Sequence, residues 1–179
     1  LYGGGGNTGA TYTHDFIEIF NAGASTISLA GYSVQYAAAT GTSWQVTTLS
    51  GSIAPGQYYL IQQAQGAGGT TPLPTPDAIG AIPMAGGGGK AALVSSTTAL
   101  SGACPTGAQI VDLVGFASTA NCYEGSGPTP VPSSTTAVLR ANGGCTDTDN
   151  NATDFSVGPP NPRNTSSPTN SCGVDTPPT

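Results

Sequence analysis

His14-Asp15-Phe16-Ile17-Glu18-Ile19-Phe20-Asn21-Ala22-Gly23 is the stretch from which the fold is read. Strand side chains alternate between faces, so Ile17 and Ile19 share one side, and Phe16, Glu18 and Phe20 share the other. Both faces are largely apolar, which predicts a central strand covered on each side and ended by the turn signal Asn21-Ala22-Gly23. Glu18 between two phenylalanines needs a partner, because burying a lone carboxylate costs several kcal/mol. Arg140 is the first candidate for that structural ion pair and Arg163 the second, among only three Lys and Arg in the chain.

Working outward, Thr26 to Tyr36 alternates with Tyr32, Val34 and Tyr36 on one face and reads as the antiparallel neighbour of the central strand. Trp44 to Leu49 is a further strand, with Trp44 as a core plug. Ala54-Pro55-Gly56-Gln57 is a turn that launches Tyr58 to Gln62. Ala91 to Val94, Gln109 to Phe116 and Ala137 to Arg140 complete the strands, the last as a short closing strand. Between Ala64 and Gly89 the pattern dissolves into Gly, Pro and Thr, a connection long enough to be functional or draped over the surface. The whole reads as an all-β chain.

The 179 residues amount to one domain with room for a sizeable core. Only 7% are charged, and three cations against nine carboxylates leave a net charge of −6. Such a surface repels phosphate, and there is no basic stripe, so direct nucleic-acid binding is not expected. No apolar run is long enough to span a membrane, and the start at Leu1 is consistent with a leader already removed. Cys104, Cys122, Cys145 and Cys172 form no Cys-x-x-Cys pair, and the single histidine cannot complete a usual zinc set. Two disulfides in an oxidising, extracellular or cell-surface setting are the better reading. Three connectivities are possible, and the sequence-local pairing of Cys104 with Cys122 and Cys145 with Cys172 is favoured.

Motifs for chemistry are weak. Gly4-Gly5-Gly6-Asn7-Thr8-Gly9 matches the dinucleotide pattern formally but lacks the following helix and acid, and reads as a Gly loop. Gly86 to Lys90 fails as a phosphate loop because Ala91 stands where Ser or Thr is needed. There is no Gly-x-Ser-x-Gly elbow, and His14 beside Asp15 on a strand points away from it, so no catalytic residues are assigned. Asp147, Asp149, Asn151 and Asp154 place oxygen donors that can wrap Ca²⁺, although Ala152 replaces the turn Gly of an EF-hand and Gly158 its final Glu. The competing reading is a solvated Asx-turn loop tethered by Cys145. Sequons at Asn151-Ala152-Thr153 and Asn164-Thr165-Ser166 and the Thr- and Pro-rich stretches offer sites for glycans.

Tyr2-Gly3-Gly4-Gly5-Gly6-Asn7, Asp15-Phe16-Ile17-Glu18-Ile19-Phe20-Asn21, Leu29-Ala30-Gly31-Tyr32-Ser33-Val34, Ile53-Ala54-Pro55-Gly56-Gln57-Tyr58 and Ile110-Val111-Asp112-Leu113-Val114-Gly115-Phe116 occur in an order and spacing that resemble the lamin tail domain. Asp147 to Asn151, Asp154-Phe155 and Pro162-Arg163-Asn164 are similar to its secreted bacterial branch. The resemblance implies an immunoglobulin-like β-sandwich with long Gly/Pro-rich loops, spanning residues 1–164, used as a non-enzymatic attachment or interaction module. Residues 165–179 are then a tail tied back through Cys172. Such domains also occur joined to secreted nucleases or phosphoesterases, whose machinery is not recognisable here. Family members carry more strand residues ahead of the Tyr-Gly-Gly, and here only Leu1 stands there. This implies an unpaired sheet edge able to accept a strand. The function expected is a self-assembling surface or filament subunit, associating through that edge or through held termini. The alternatives are an accessory module of a secreted hydrolase and a calcium-dependent adhesion module.

Overall fold

Alternating apolar residues in short runs, separated by glycine and proline, build two facing sheets. In the computed structural model, which describes residues 1–173, the strands are β1 (His14–Phe20), β2 (Ile27–Ser28), β3 (Ser33–Ala38), β4 (Gln45–Thr48), β5 (Ser52–Ile53), β6 (Tyr58–Gln65), β7 (Ala78–Ile79), β8 (Gly89–Val94), β9 (Ile110–Phe116), β10 (Ala137–Arg140) and β11 (Phe155–Gly158). A single helical turn, Asn151–Asp154, leads into β11. Of the tail expected over residues 165–179, the last six residues and the expectation that this end is held lie outside the described residues.

One sheet runs β1-β6-β7, with β6 antiparallel to β1 and parallel to β7. The facing sheet runs β4-β3-β8-β9, antiparallel throughout. Ile17, Tyr59 and Ile61 of the first sheet meet Val34, Tyr36, Ala91 and Phe116 of the second in the main core. Ile82 and Met84 join them from the long connection after β6, which therefore helps close the sandwich as well as cross its surface.

Both outer faces are also covered, which explains why strands such as β3 are buried on both sides. Outside the second sheet, Trp44, Ala92, Val94, Leu100, Leu113 and Cys122 form another cluster under loops stapled by the Cys104–Cys122 disulfide. The fully buried Gln35 binds those loops, accepting the Leu100 N–H at 2.8 Å and donating to Thr98 O at 2.9 Å. Lys90 is buried there too, its ammonium donating to Gly41 O, Ala103 O and Asn121 Oδ1 at 2.6–2.8 Å. The lysine of the failed phosphate motif thus ties three loops together. Outside the first sheet Tyr2, Phe16, Leu60 and Ala137 pack as a third cluster.

The Gly3–Gly6 loop is a close-packed turn. A Cβ on Gly5 would lie 1.9 Å from the His14 carbonyl carbon, and Gly6 has φ +69° with its Cα against Gly66.

One expectation of neighbourhood is corrected. The strand from Thr26 to Tyr36 does not pair with β1: β3 lies in the facing sheet, between β4 and β8. Alternation fixes which face a strand buries, not which strand it bonds, and the chain changes sheets across the β2–β5 pair, Ile27 opposite Ile53. β1 is covered on both faces, Ile17 packing in the main core and Phe16 in the third cluster, and among the described residues its second edge meets Tyr2, at Phe16.

Candidate interaction site

The side of β1 that faces β10 is the most distinctive site of the molecule. Tyr2 and Phe16 exchange both backbone hydrogen bonds at 2.9 Å. Leu1 and Val138 of β10 do the same, also at 2.9 Å. Leu1-Tyr2 is therefore a two-residue strand lying between β1 and β10, and it links the β10–β11 pair to the first sheet. Backbone groups alternate in direction along a strand, so the N–H and C=O of Glu18 and Phe20 point the same way as those of Phe16, and those of Arg140 the same way as those of Val138. Among the described residues the N–H and C=O of Glu18 and Phe20 have no backbone hydrogen-bond partner, while the Arg140 carbonyl opens the 3₁₀ turn Ala141–Gly144. Between them runs a groove of about 180 Å³, floored by Val34, Ala91 and Leu93 of the facing sheet. Gly144 and Asn161 also line it.

Charged side chains frame this groove in two sets. Glu18 is held by Arg163, with Nη2 to Oε1 at 2.7 Å and the Arg163 backbone N–H to Oε2 at 2.7 Å. The guanidinium stacks 3.6 Å from the ring centroid of Tyr58, itself 4.9 Å from the Phe20 ring. Arg140, the first candidate for Glu18, instead binds Asp112 at 2.6 Å and Asp147 at 2.7 Å and lies over the Phe155 ring. The reason is strand direction: Glu18 projects from the outer face of β1, where the segment after β11 passes, whereas Arg140 turns toward β9.

Burial opposes the charge of Arg140, but the neighbouring Asp112 and Asp147 outweigh it and raise its pKa. For Asp112 burial prevails over Arg140, and its carboxyl is pushed up. Glu124 beside it is raised to about 7 by burial and then by the Asp112 charge.

Three of the four oxygen-bearing residues read as a cation loop, Asp147, Asn151 and Asp154, are spent on internal bonds. Asp154, 1% exposed, accepts the Thr148 N–H at 2.7 Å, the Thr148 hydroxyl at 2.6 Å and the Asn150 N–H at 3.2 Å. Burial works against its charge, yet these donors hold its pKa below the ordinary value. Asn151 is fully buried and faces β9: Oδ1 accepts from Gly115 N and Glu124 N, and Nδ2 donates to Leu113 O. Asp147 binds Arg140, and Asp149 holds a left-handed turn at φ 53°. Among the described residues no group of three or more His, Cys, Asp or Glu side chains is arranged to hold a metal ion.

The burial of Asn151 also makes its sequon inaccessible in the folded chain, while Nδ2 of Asn164 donates to Thr75 O at 2.9 Å. His14 hydrogen-bonds only the neighbouring Thr13 hydroxyl through its ring, at 2.9 Å.

Cys145 and Cys172 form a disulfide that draws residues 165–173 onto the sandwich. The Asn170 N–H donates to Gly56 O at 2.9 Å, and Thr165 binds Asp77. Asp77 also accepts the Leu60 N–H at 2.8 Å, a clamp between β6 and the last segment that the sequence did not single out. An isolated acid in a Pro-rich loop carries no local signal of that role.

Searches among curated proteins and among solved structures return no match. A family model described as Lamin Tail Domain matches residues 1–149, which take in β1 to β10 and both walls of the groove but not β11 or Cys172. With an all-β immunoglobulin-like sandwich and this match over most of its length, the chain belongs to the lamin tail domain family.

Proposed function

We propose that this chain is a non-enzymatic, extracellular structural and interaction domain that self-associates as a subunit of a surface assembly or filament. The observation that carries the reading is the groove beside β1, whose apolar floor of Val34, Ala91 and Leu93 is framed by the Glu18–Arg163 and Arg140–Asp112 ion pairs. Unpaired strand edges are templates for another strand, and folded proteins ordinarily cover them. The β9 edge is covered by Asn151 and by Thr129, whose N–H reaches Gly115 O at 2.9 Å, whereas the Glu18 and Phe20 backbone groups along the groove have no such cover among the described residues.

Other features agree with it. Two disulfides suit an oxidising compartment. No described helix is long and apolar enough to cross a membrane. The titratable groups nearest the groove form ion pairs, as structural groups do. Sedimentation velocity over a wide concentration range, with electron microscopy of the same sample, tests the proposal. Concentration-dependent growth into oligomers or fibres is expected, and a monomer at every concentration overturns it.

A further inference from the structure

At the edge of the sandwich away from the groove, the four-stranded sheet ends in β4. The Leu49 N–H donates to Tyr32 O at 2.9 Å, and β4 pairs with β3 as Thr47 opposite Val34 and Thr48 opposite Ser33, with no shift of register. Backbone groups alternate in direction along a strand, so Thr47 turns its N–H and C=O toward β3, and Val46 and Thr48 turn theirs outward. Cover stops short of them. Ser101 bridges Ser43, and the Gly102 N–H donates to Thr42 O at 2.9 Å, but among the described residues the backbone groups of Val46 and Thr48 have no backbone hydrogen-bond partner. This edge stands beside β6 and β7, across the sandwich from Leu1: the Thr47 hydroxyl donates to Gln63 Oε1 at 3.1 Å, and Gly80 packs so close to Thr47 that a Cβ there would collide with its Oγ1.

Natural edge strands are guarded by a lysine, a proline, a bulge or a covering loop. Gln45-Val46-Thr47-Thr48 has no such guard, and three of its residues are β-branched, the type that strands favour. No residue from Ile19 to Pro76 is Asp, Glu, Lys, Arg or His, in a chain whose net charge is −6. Copies of an acidic chain repel one another, and least where this uncharged stretch meets itself. Beside it Ile79, next to Gly80, is 71% exposed.

A partner for this edge must present open backbone groups at the same spacing, and a second β4 does. In an antiparallel pairing about a two-fold axis at Thr47, Val46 of each copy falls opposite Thr48 of the other, and each such pair exchanges both backbone hydrogen bonds. Thr47 meets its own counterpart at the axis, with its side chain still turned to Gln63. Val46 and Thr48 share the outer face, so the cross-strand neighbours are β-branched residues packed on each other.

We propose that β4 is a dimer contact, in which two copies of the chain pair their β4 strands antiparallel about a two-fold axis at Thr47 and join their four-stranded sheets into one. This rests on the self-association reading above and gives it a specific surface. Such a contact closes on itself, so the pair is the unit from which a larger assembly is built. A four-residue strand on each side is a smaller contact than the about 800 Å² per partner of a standard stable interface, so the pair forms and separates with concentration.

The test combines sedimentation velocity with amide hydrogen exchange on the native chain, Thr48→Lys and Thr48→Val. The Val46 and Thr48 amides of the native chain are expected to exchange more slowly as concentration rises. Thr48→Lys, a charge at an exposed edge position, is expected to weaken the dimer roughly tenfold or more with Tm unchanged, and Thr48→Val to keep it.

Association that survives Thr48→Lys undiminished, or that leaves the Val46 and Thr48 amides exchanging as fast as in the monomer, overturns the inference and leaves the assembly reading standing. A native chain that is monomeric throughout overturns both. The exchange of these two amides in the native chain needs no variant, and it decides the matter even where the lysine variant melts lower.

Discussion

Asn151 stands in for a strand at Gly115. Its Oδ1 accepts the Gly115 N–H at 2.8 Å and its Nδ2 donates to Leu113 O at 3.0 Å, so one side-chain amide satisfies the edge of β9 as a backbone would. Removing it strands buried donors and an acceptor. Asn151→Ala is expected to lose about 2–4 kcal/mol, the combined cost of unsatisfied groups and a small cavity. Asn151→Asp, which keeps the shape but loses the donor and adds a buried charge, is expected to lose at least as much. Urea unfolding of both variants measures it, and a loss under about 0.5 kcal/mol would contradict the capping role.

Asp15 sets the acid side of the stability profile. Burial pushes its pKa up to about 7, against the opposing hydrogen bond from Met84 N at 2.9 Å, and Glu124 is likewise raised to about 7. Between their ordinary values of 3.8 and 4.5 and about 7, the native state holds protons that the unfolded chain has released. Stability therefore falls as pH rises through that window. Asp154 acts in the opposite sense, its lowered pKa giving stability above pH ~4 that is lost on further acidification. Melting scans from pH 3 to 8 are expected to show a maximum on the acid side of neutrality, at about pH 4–5. Asp15→Asn is expected to flatten the fall toward pH 7, and an unchanged slope would refute the assignment.

The Cys145–Cys172 bridge holds the last described segment against the turn at Gly56 and the turn after β10, where Asn170 Nδ2 donates to Asn142 O at 2.9 Å. It spans 27 residues, for which chain-entropy arguments give about 3 kcal/mol. The double variant Cys145→Ser, Cys172→Ser is expected to lose about that much and to become cleavable between residues 165 and 173 by limited proteolysis. Protection from protease equal to the native chain would show that Asp77 and Gly56 hold the segment unaided.

Arg163 recognises Glu18 through a planar fork and lies flat on Tyr58. Lysine keeps the charge but loses both geometries. Arg163→Lys is therefore expected to cost about 1–2 kcal/mol, close to the cost of Arg163→Ala. Full retention of stability in the lysine variant would reduce the pair to simple charge attraction.

Calcium is expected to leave the melting temperature unchanged, because Asn151 and Asp154 already spend their oxygens on Gly115, Thr148 and Asn150. Thermal scans in EDTA and in millimolar CaCl₂ check this. A rise with calcium would require that loop to rearrange.

Local pattern in the sequence determined where the strands fall and which residues face inward: Ile17, Val34, Tyr36, Ile61 and Ala91 alternate with period two, and that period needs no knowledge of the partner strand. Turn positions such as Gly56, at φ +72°, were equally local. Only the tertiary structure decided that β3 crosses to the facing sheet, that Glu18 meets Arg163 across 145 residues, and that Asn151 caps an edge 36 residues away. Hydrogen bonds and ion pairs are satisfied by whatever the chain's path brings within about 3 Å, and that path is set by the packing of the whole sandwich. An acid or amide in a loop looks the same in sequence whether it waits for a cation or closes a strand.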